Sequence, residues 1–199
     1  MKEKNFEVSQ ALSFGWEKTK ANFWLMIGAA FVLVASGMIP SMIFNKTFIW
    51  GTNVLAWLLG AVFGVGLIKI ILKIEENKKA SMDEFFSLTT NQFLDYLVTS
   101  LLLAVITIVG FILLIIPGII FSLKYQFALY LILDKKMKPL EAIKKSGEIT
   151  KGYLWPLFQL WLASIVIVAI GALLVGVGLL VAVPIVVLAQ TYVYKKLVK

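Results

Sequence analysis

Three side chains are missing from this chain, and each absence closes off a kind of chemistry. It has no cysteine, so disulfides, thiolate nucleophiles and thiolate metal sites are excluded. Histidine is absent too, which removes the commonest general base and the commonest metal ligand. Every one of its 19 basic residues is Lys; without arginine there is no planar fork to grip a phosphate through two parallel bonds. Charge of any kind is scarce: 15% of residues are charged, against about a quarter in an ordinary soluble domain. What fills the 199 residues instead is apolar, at 60% hydrophobic with a mean hydropathy of +0.92. That balance places the chain among all-α integral membrane proteins. The N-terminus, "MKEKNFEVSQ", is polar and contains acids, and the first apolar run is too long for a signal peptide, so no cleavage is expected.

A helix crosses the hydrocarbon with about 20 apolar residues. Residues 21–45 and 47–68 supply two such runs with "NKT" between them. Residues 96–133 carry one charge in 38 residues, nearly twice what one span needs, and Pro117-Gly118 is the expected corner. Residues 152–194 hold another 43 uncharged residues. There the reversal is expected at the "GVG" of Gly176 to Gly178, or Pro184 kinks the last helix. The reading is six transmembrane helices in three hairpins, one membrane domain with units 1–79, 80–135 and 136–199. On that layout 17 of the lysines and all 11 acids share one side, with Lys46 opposite. The positive-inside bias then makes both termini cytoplasmic.

Each hairpin follows a polar segment of helical period, expected to lie in the interface plane with its lysines toward the headgroups. In "KPLEAIKKSGEITK" (138–151) the charged residues occupy half of the helical wheel, and Pro139, Leu140, Ala142, Ile143, Ser146, Gly147 and Ile149 the other. In "SMDEFFSLTTNQF" (81–93) Met82, Phe85, Phe86, Thr89, Thr90 and Phe93 make the stripe, with Ser81 and Glu84 as a capping box. Residues 7–20 present Val8, Ala11, Leu12, Gly15, Trp16 and Thr19 on one face, with Phe14 out of pattern. The first and third segments match each other: Ala11 with Ala142, Glu17 with Glu148, Thr19 with Thr150, Lys20 with Lys151 and Trp24 with Trp155, five identities in 16. Three parallel copies of one element, a surface helix and then a hairpin, are the expected organisation.

One charge interrupts the apolar stretch 111–134: Lys124. Counted along the fourth span, it falls about 15 Å below the cytoplasmic end, where insertion scales put a lysine at roughly 2.5 to 3.5 kcal/mol unfavourable. Three readings stand open. The ammonium snorkels to water, or it bonds Gln126, Gln159, Asn53 or a helix-end carbonyl. The third is a cationic spot for a lipid phosphate or other anion, with Gln126, Lys144, Lys145 and Lys151 as the further contacts. No intramembrane acid is at hand, since Asp95 and Asp134 close spans at their cytoplasmic ends.

Other candidates read as structure. Glu75-Glu76 and Asp83-Glu84 are adjacent pairs, which do not face each other on a helix. Trp16, Trp24, Trp50, Trp155 and Tyr192 sit near span ends, as interfacial aromatics do. "GAVFG" (60–64) is a GxxxG match for close helix approach. No phosphate loop, metalloprotease motif or nucleophile elbow occurs, so no catalytic residue, metal or cofactor is expected.

From residue 113 to 162, "LLIIPGIIFSLKYQFALYLILDKKMKPLEAIKKSGEITKGYLWPLFQLWL", the chain resembles the membrane domain attached to some glycerophosphoryl diester phosphodiesterases, and its stand-alone six-span bacterial relatives. The resembling features are Pro117-Gly118, a basic residue at Lys124, Asp134 closing the span, then Ala142, Ser146, Gly152 and Trp155; "ALSFGWEKTKANFW" (11–24) resembles that family's opening. In the family the basic residue is more often Arg. The hydrolase domain is not in this chain, so the resemblance implies no enzymatic activity. It implies a role close to phospholipid or envelope physiology. The expected function is a non-enzymatic inner-membrane protein that engages anionic phospholipid headgroups, alone, as a homo-oligomer or beside a membrane-protein partner, and no nucleic acid. The alternative is a small transporter, efflux or immunity-type protein for lipids or amphiphiles.

Overall fold

A computed structural model describes residues 6–43, 49–87, 89–173 and 178–199. They form nine α-helices and a short 3₁₀ helix, with no strand among the described residues. The helices are α1 (Val8–Ala21), α2 (Phe23–Ile43), α3 (Ile49–Glu75), α4 (Thr90–Leu113), α5 (Ile115–Tyr125), α6 (Ala128–Lys135), α7 (Pro139–Ile149), α8 (Leu154–Leu173) and α9 (Leu179–Val198). Five stretches are long and apolar enough to cross a membrane: Ala56–Glu75, Thr90–Leu113, Ile115–Lys135, Leu154–Leu173 and Leu179–Val198. The described apolar part of α2, Phe23–Leu33, is shorter than a span. The protein is therefore an all-α chain of multi-pass membrane type. Its outward faces are those of a chain solvated by lipid: Leu101, Val105, Ile108 and Ile112 line the open side of α4, and Ile165, Val166 and Ile170 that of α8.

Four details depart from the sequence reading. The chain does not turn at Pro117-Gly118 but at Leu114, whose backbone is extended, and Pro117 and Gly118 lie inside the first turn of α5. Proline is free of cost there, because the first N–H groups of a helix have no partner within it. Gly118 instead serves contact: its Cα and the Gly110 backbone approach so closely that a Cβ on Gly110 would stand 2.9 Å from it. Second, residues 81–93 are not one helix. The 3₁₀ helix Met82–Phe86 ends at Ser87, and Thr89 caps the start of α4. Ser81 makes no capping bond and turns its hydroxyl to Asp83 at 3.0 Å, while Glu84 pairs with Lys73. Third, α3 continues to Glu75 and so carries Lys69 and Lys73. Fourth, the fourth span is broken: α5 stops at Tyr125 and α6 starts at Ala128.

At the last reversal, Gly178 caps α9 and touches Gly171 of α8, while Pro184 is accommodated within α9. Residues 174–177, with most of the expected "GVG", and the "NKT" turn with Lys46 lie outside the described residues. Of the GxxxG pair, Gly64 packs beside the Tyr96 hydroxyl, whereas a Cβ on Gly60 would meet nothing.

The buried core lies where α3, α6 and α9 come together, through Ile70, Ile71, Leu131, Ile132, Val193 and Leu197. Around it the polar segments dock on protein. The stripe Ala11, Gly15 and Thr19 of α1 is buried against α9, so tightly that a Cβ on Gly15 would collide with the carbonyl oxygen of Ile185. Ala142, Ser146 and Thr150 occupy the matching positions of the α7 segment and are buried against α5 and α6. The 3₁₀ helix packs on α3, with Phe85 against Gly66. Small residues every fourth position let two backbones approach, which is how helices associate where lipid offers no hydrophobic drive.

Candidate functional site

The break between α5 and α6 leaves backbone groups without helical partners, and α7 supplies them. The Ser146 hydroxyl donates to the Lys124 carbonyl at 3.0 Å and accepts the Phe127 N–H at 3.2 Å. The Thr150 hydroxyl sits 3.0 Å from the same Lys124 carbonyl and 2.8 Å from that of Ser146, sharing its one proton between them. Why α7 lies there is local. Lys136 adopts a left-handed conformation (φ 53°) that ends α6. Pro139 then opens α7 at a position where its missing N–H is harmless. The two helices therefore pack side by side, and the end of α7 comes level with the end of α5.

That arrangement fixes the surroundings of Lys124. Its stem lies along Gly147, where a Cβ would come within 3.2 Å of its Cε, and its ammonium is 5.4 Å from the centre of the Tyr125 ring. Lys144 precedes Gly147 by one helical turn, Lys151 follows it by four residues in the turn beyond α7, and both are exposed. None of the three lysines has an acidic partner among the described residues. Lys145 differs, since it pairs with Glu148 at 3.2 Å. Gln126 is not a neighbour of the Lys124 ammonium: its amide donates to the Leu123 carbonyl at 2.9 Å on another face of α5. Gln159 is exposed, and the side chains of Asn53 and Trp50 lie outside the described ones. Leu140, expected on the apolar half of α7, is 74% exposed beside the lysines.

The remaining residues singled out in the sequence are structural. Gly152 takes φ 88° in the turn from α7 to α8, a conformation that costs a side chain dearly. Trp155 follows at 67% exposed, and Trp24, the residue set against it in the sequence comparison, is 82% exposed. Tyr192 lies 4.8 Å beneath the Lys196 ammonium, as Trp16 does at 5.2 Å beneath Lys20.

Asp134 has a role that the sequence did not show. It accepts the Tyr194 hydroxyl and the Lys195 ammonium, each at 2.8 Å. Lys195 also reaches Glu76 at 2.7 Å, and Lys78 bonds the other oxygen of Glu76 at 2.5 Å. One lysine thereby ties together the ends of α3, α6 and α9. Its side chain is 12% exposed and that of Asp134 10%. The hydrogen bonds from Lys195 and then Lys78 hold the Glu76 carboxyl at about 2, well below the usual carboxylate range. A cavity of about 470 Å³ lies beside this junction, lined by Glu75, Lys78, Lys135 and Lys199 among others. Tyrosine and lysine at the end of an apolar run read as an interfacial anchor, so nothing in the pattern pointed to this bridge.

Comparison with known proteins yields relatives of no assigned role. The chain is 33% identical over 132 residues to the uncharacterized protein Rv2560 of Mycobacterium tuberculosis, and equally so to the uncharacterized protein Mb2590 of Mycobacterium bovis. The match covers 66% of this chain and 40% of each relative, so the chain spans less than half the length of the relatives it matches. No family model matches the chain, and no solved structure does.

Proposed function

We propose that this is a non-enzymatic integral membrane protein that holds an anionic phospholipid headgroup among Lys124, Lys144 and Lys151. The single observation behind this reading is the position of Lys124: its stem lies against Gly147 between the two exposed lysines, and none of the three is ion-paired among the described residues. Three lysines outside any ion pair attract phosphate, and the exposed Trp155 just beyond Lys151 is the kind of residue that settles at headgroup level. On this reading Lys124 lies near the interface rather than at mid-bilayer. The helix that would have carried it deeper is broken, and the polar helix α7 stands beside it.

The accompanying topology is six spans in three hairpins with both termini cytoplasmic, α2 providing the sixth. It is supported by the pairing of α2 with α3, α4 with α5 and α8 with α9, and by the lysine bias. The three units 1–79, 80–135 and 136–199 form a cyclic pseudo-repeat. The polar element of each docks on the last helix of the unit before it: α7 on α5–α6, the 3₁₀ helix on α3, and α1 on α9. A membrane module of the kind attached to glycerophosphoryl diester phosphodiesterases fits this description.

The test is native mass spectrometry of the protein released from mixed vesicles of phosphatidylglycerol and phosphatidylcholine. Retained phosphatidylglycerol is expected, weakened about five-fold by each Lys→Ala change at 124, 144 or 151, from about 1 kcal/mol per lysine at an anionic surface. Equal retention of both lipids defeats the reading. A second reading, a small lipid or amphiphile transporter, draws support from the broken fourth span, since discontinuous helices build many transport sites. Flux in proteoliposomes that disappears with Ser146→Ala would favour it.

A further inference from the structure

On the far side of α5 from Lys124 lies a second cavity, of about 220 Å³, that the lysine site does not use. Ser122 and Gln126 of α5 and Gln190 of α9 supply its polar lining, while Phe111 of α4, Leu123 and Trp161 of α8 supply apolar walls. Gln126 and Gln190 both belong to stretches apolar and long enough to cross a membrane. Their hydrogen-bonding capacity is largely unspent. Gln126 commits one N–H to the Leu123 carbonyl, Ser122 commits its proton to the Gly118 carbonyl at 2.9 Å, and Gln190 makes no side-chain bond among the described residues. That leaves the oxygens of both carboxamides as acceptors and several amide hydrogens as donors.

Carboxamides set among apolar walls without partners are unfavourable, and two converging on one cavity call for a guest that bonds to them. No charged side chain lines the space, so an ionic guest would lose its hydration with nothing to compensate it. The volume equals roughly seven waters at about 30 Å³ each, enough for a compact polyol-ester head but not for a second large group. Phe111 and Trp161, at the walls, are themselves partly exposed on the outer surface of the bundle, so the way in runs sideways between α4 and α8 from the lipid.

We propose that this cavity binds the neutral, hydroxyl- and ester-bearing head of a lipid of the acylglycerol class, its acyl chain leaving between α4 and α8. Gln190 and Gln126 bond the hydroxyl and ester oxygens, and Trp161 lies along the first methylenes. The assignment does not depend on the lysine site, which takes phosphate on the other face of the same helix.

The experiment uses the full chain in phosphatidylcholine nanodiscs, titrated with a diacylglycerol brominated on its acyl chain. Tryptophan fluorescence is read with and without Trp161→Phe, to isolate the quenching of Trp161. Saturable quenching of Trp161 is expected. It should weaken at least ten-fold in Gln126→Leu/Gln190→Leu and stay unchanged in Lys124→Ala. Leucine is near in size and at home in a membrane helix; Gln190→Leu alone, with its elution and circular dichroism compared with the parent, serves as the second variant. Quenching that rises with probe and never saturates, or that is equal in the glutamine variants, overturns the proposal, because the cavity then holds water only or is bulk-lipid contact. Equal saturable quenching by brominated phosphatidylglycerol overturns it as well, since the head would not be neutral.

Discussion

The hydroxyl of Ser146 accepts the backbone N–H of Phe127 at 3.2 Å while donating to the Lys124 carbonyl at 3.0 Å. A side chain of α7 thereby replaces the helical bonds lost where α5 gives way to α6. Both residues are buried. Ser146→Ala removes the acceptor without adding volume, leaving a buried N–H unpaired in a chain solvated by lipid. A loss of about 1 to 3 kcal/mol is expected, together with faster amide exchange at Phe127 and Ala128. Thr150 retains a contact with the Lys124 carbonyl, so exchange should rise at the break more than along α5. The measurement is hydrogen exchange in detergent alongside reversible unfolding; a variant as stable as its parent contradicts this account of the break.

On α1, Gly15 presses on the backbone of α9. A Cβ there meets the Ile185 carbonyl oxygen, its carbonyl carbon at 3.2 Å and the Ala189 nitrogen at 3.2 Å, none of which moves as a side-chain tip would. Gly15→Ala is therefore expected to push α1 outward at about 1 to 3 kcal/mol. Because the chain has no cysteine, the displacement can be read directly. Ala11→Cys, buried in the parent, should react slowly with a maleimide, and several-fold faster once Gly15→Ala is added. An unchanged rate would mean that α1 is not held by this contact.

How much of this was legible in the chain differs from element to element. The apolar runs and the polar face of α7 were, because hydrocarbon demands long runs and helical period sorts charge. The break after Tyr125 was not: "LKYQFALY" contains neither Gly nor Pro, and the hydroxyls that stabilise it, those of Ser146 and Thr150, bond across 19 to 26 residues. In 81–93 the apolar spacing suited a single helix, but the Ser87 hydroxyl turns back to the Glu84 carbonyl at 2.9 Å and ends one element, and Thr89, in extended conformation, begins the next. Pro117-Gly118 misled because the same pair suits a first helical turn and a corner alike. For Lys124, counting residues gave depth along an ideal helix and missed that α7 stands beside it. Gln190 escaped notice because one carboxamide in an apolar run carries no meaning until a second faces it.

The Glu76 carboxyl, held at about 2 by Lys195 and Lys78, predicts a pH dependence of definite sign. Its folded value lies below the unfolded one, so its contribution is complete above the ordinary carboxylate range and fades as pH falls from there through about 2. Glu76→Gln should therefore melt below the parent at neutral pH, and the gap between them should close on acidification across that window. A gap that stays constant from neutral pH to pH 2 would show that the carboxylate does not work through its charge.

Lys195 offers the sharper test of how the helix ends are joined. It lies between Glu76 and Asp134 at 2.7 and 2.8 Å, largely shielded from solvent. Lys195→Met preserves the length of the stem and deletes the charge. Two carboxylates then face each other, and Asp134 retains the Tyr194 hydroxyl and Lys135 at 3.5 Å. Removing one partner of a shielded pair is expected to cost about 3 to 5 kcal/mol. Asp134→Asn in the same background removes one of the stranded charges and should recover part of that loss; Tyr194→Phe, which deletes only a hydrogen bond, should cost about 1 kcal/mol alone. The ordering matters more than the magnitudes: Lys195→Met must be the most damaging, and its double variant with Asp134→Asn less so. If the double variant is instead the weaker of the two, the stabilisation comes from packing around Tyr194 and not from the lysine that spans the three helix ends.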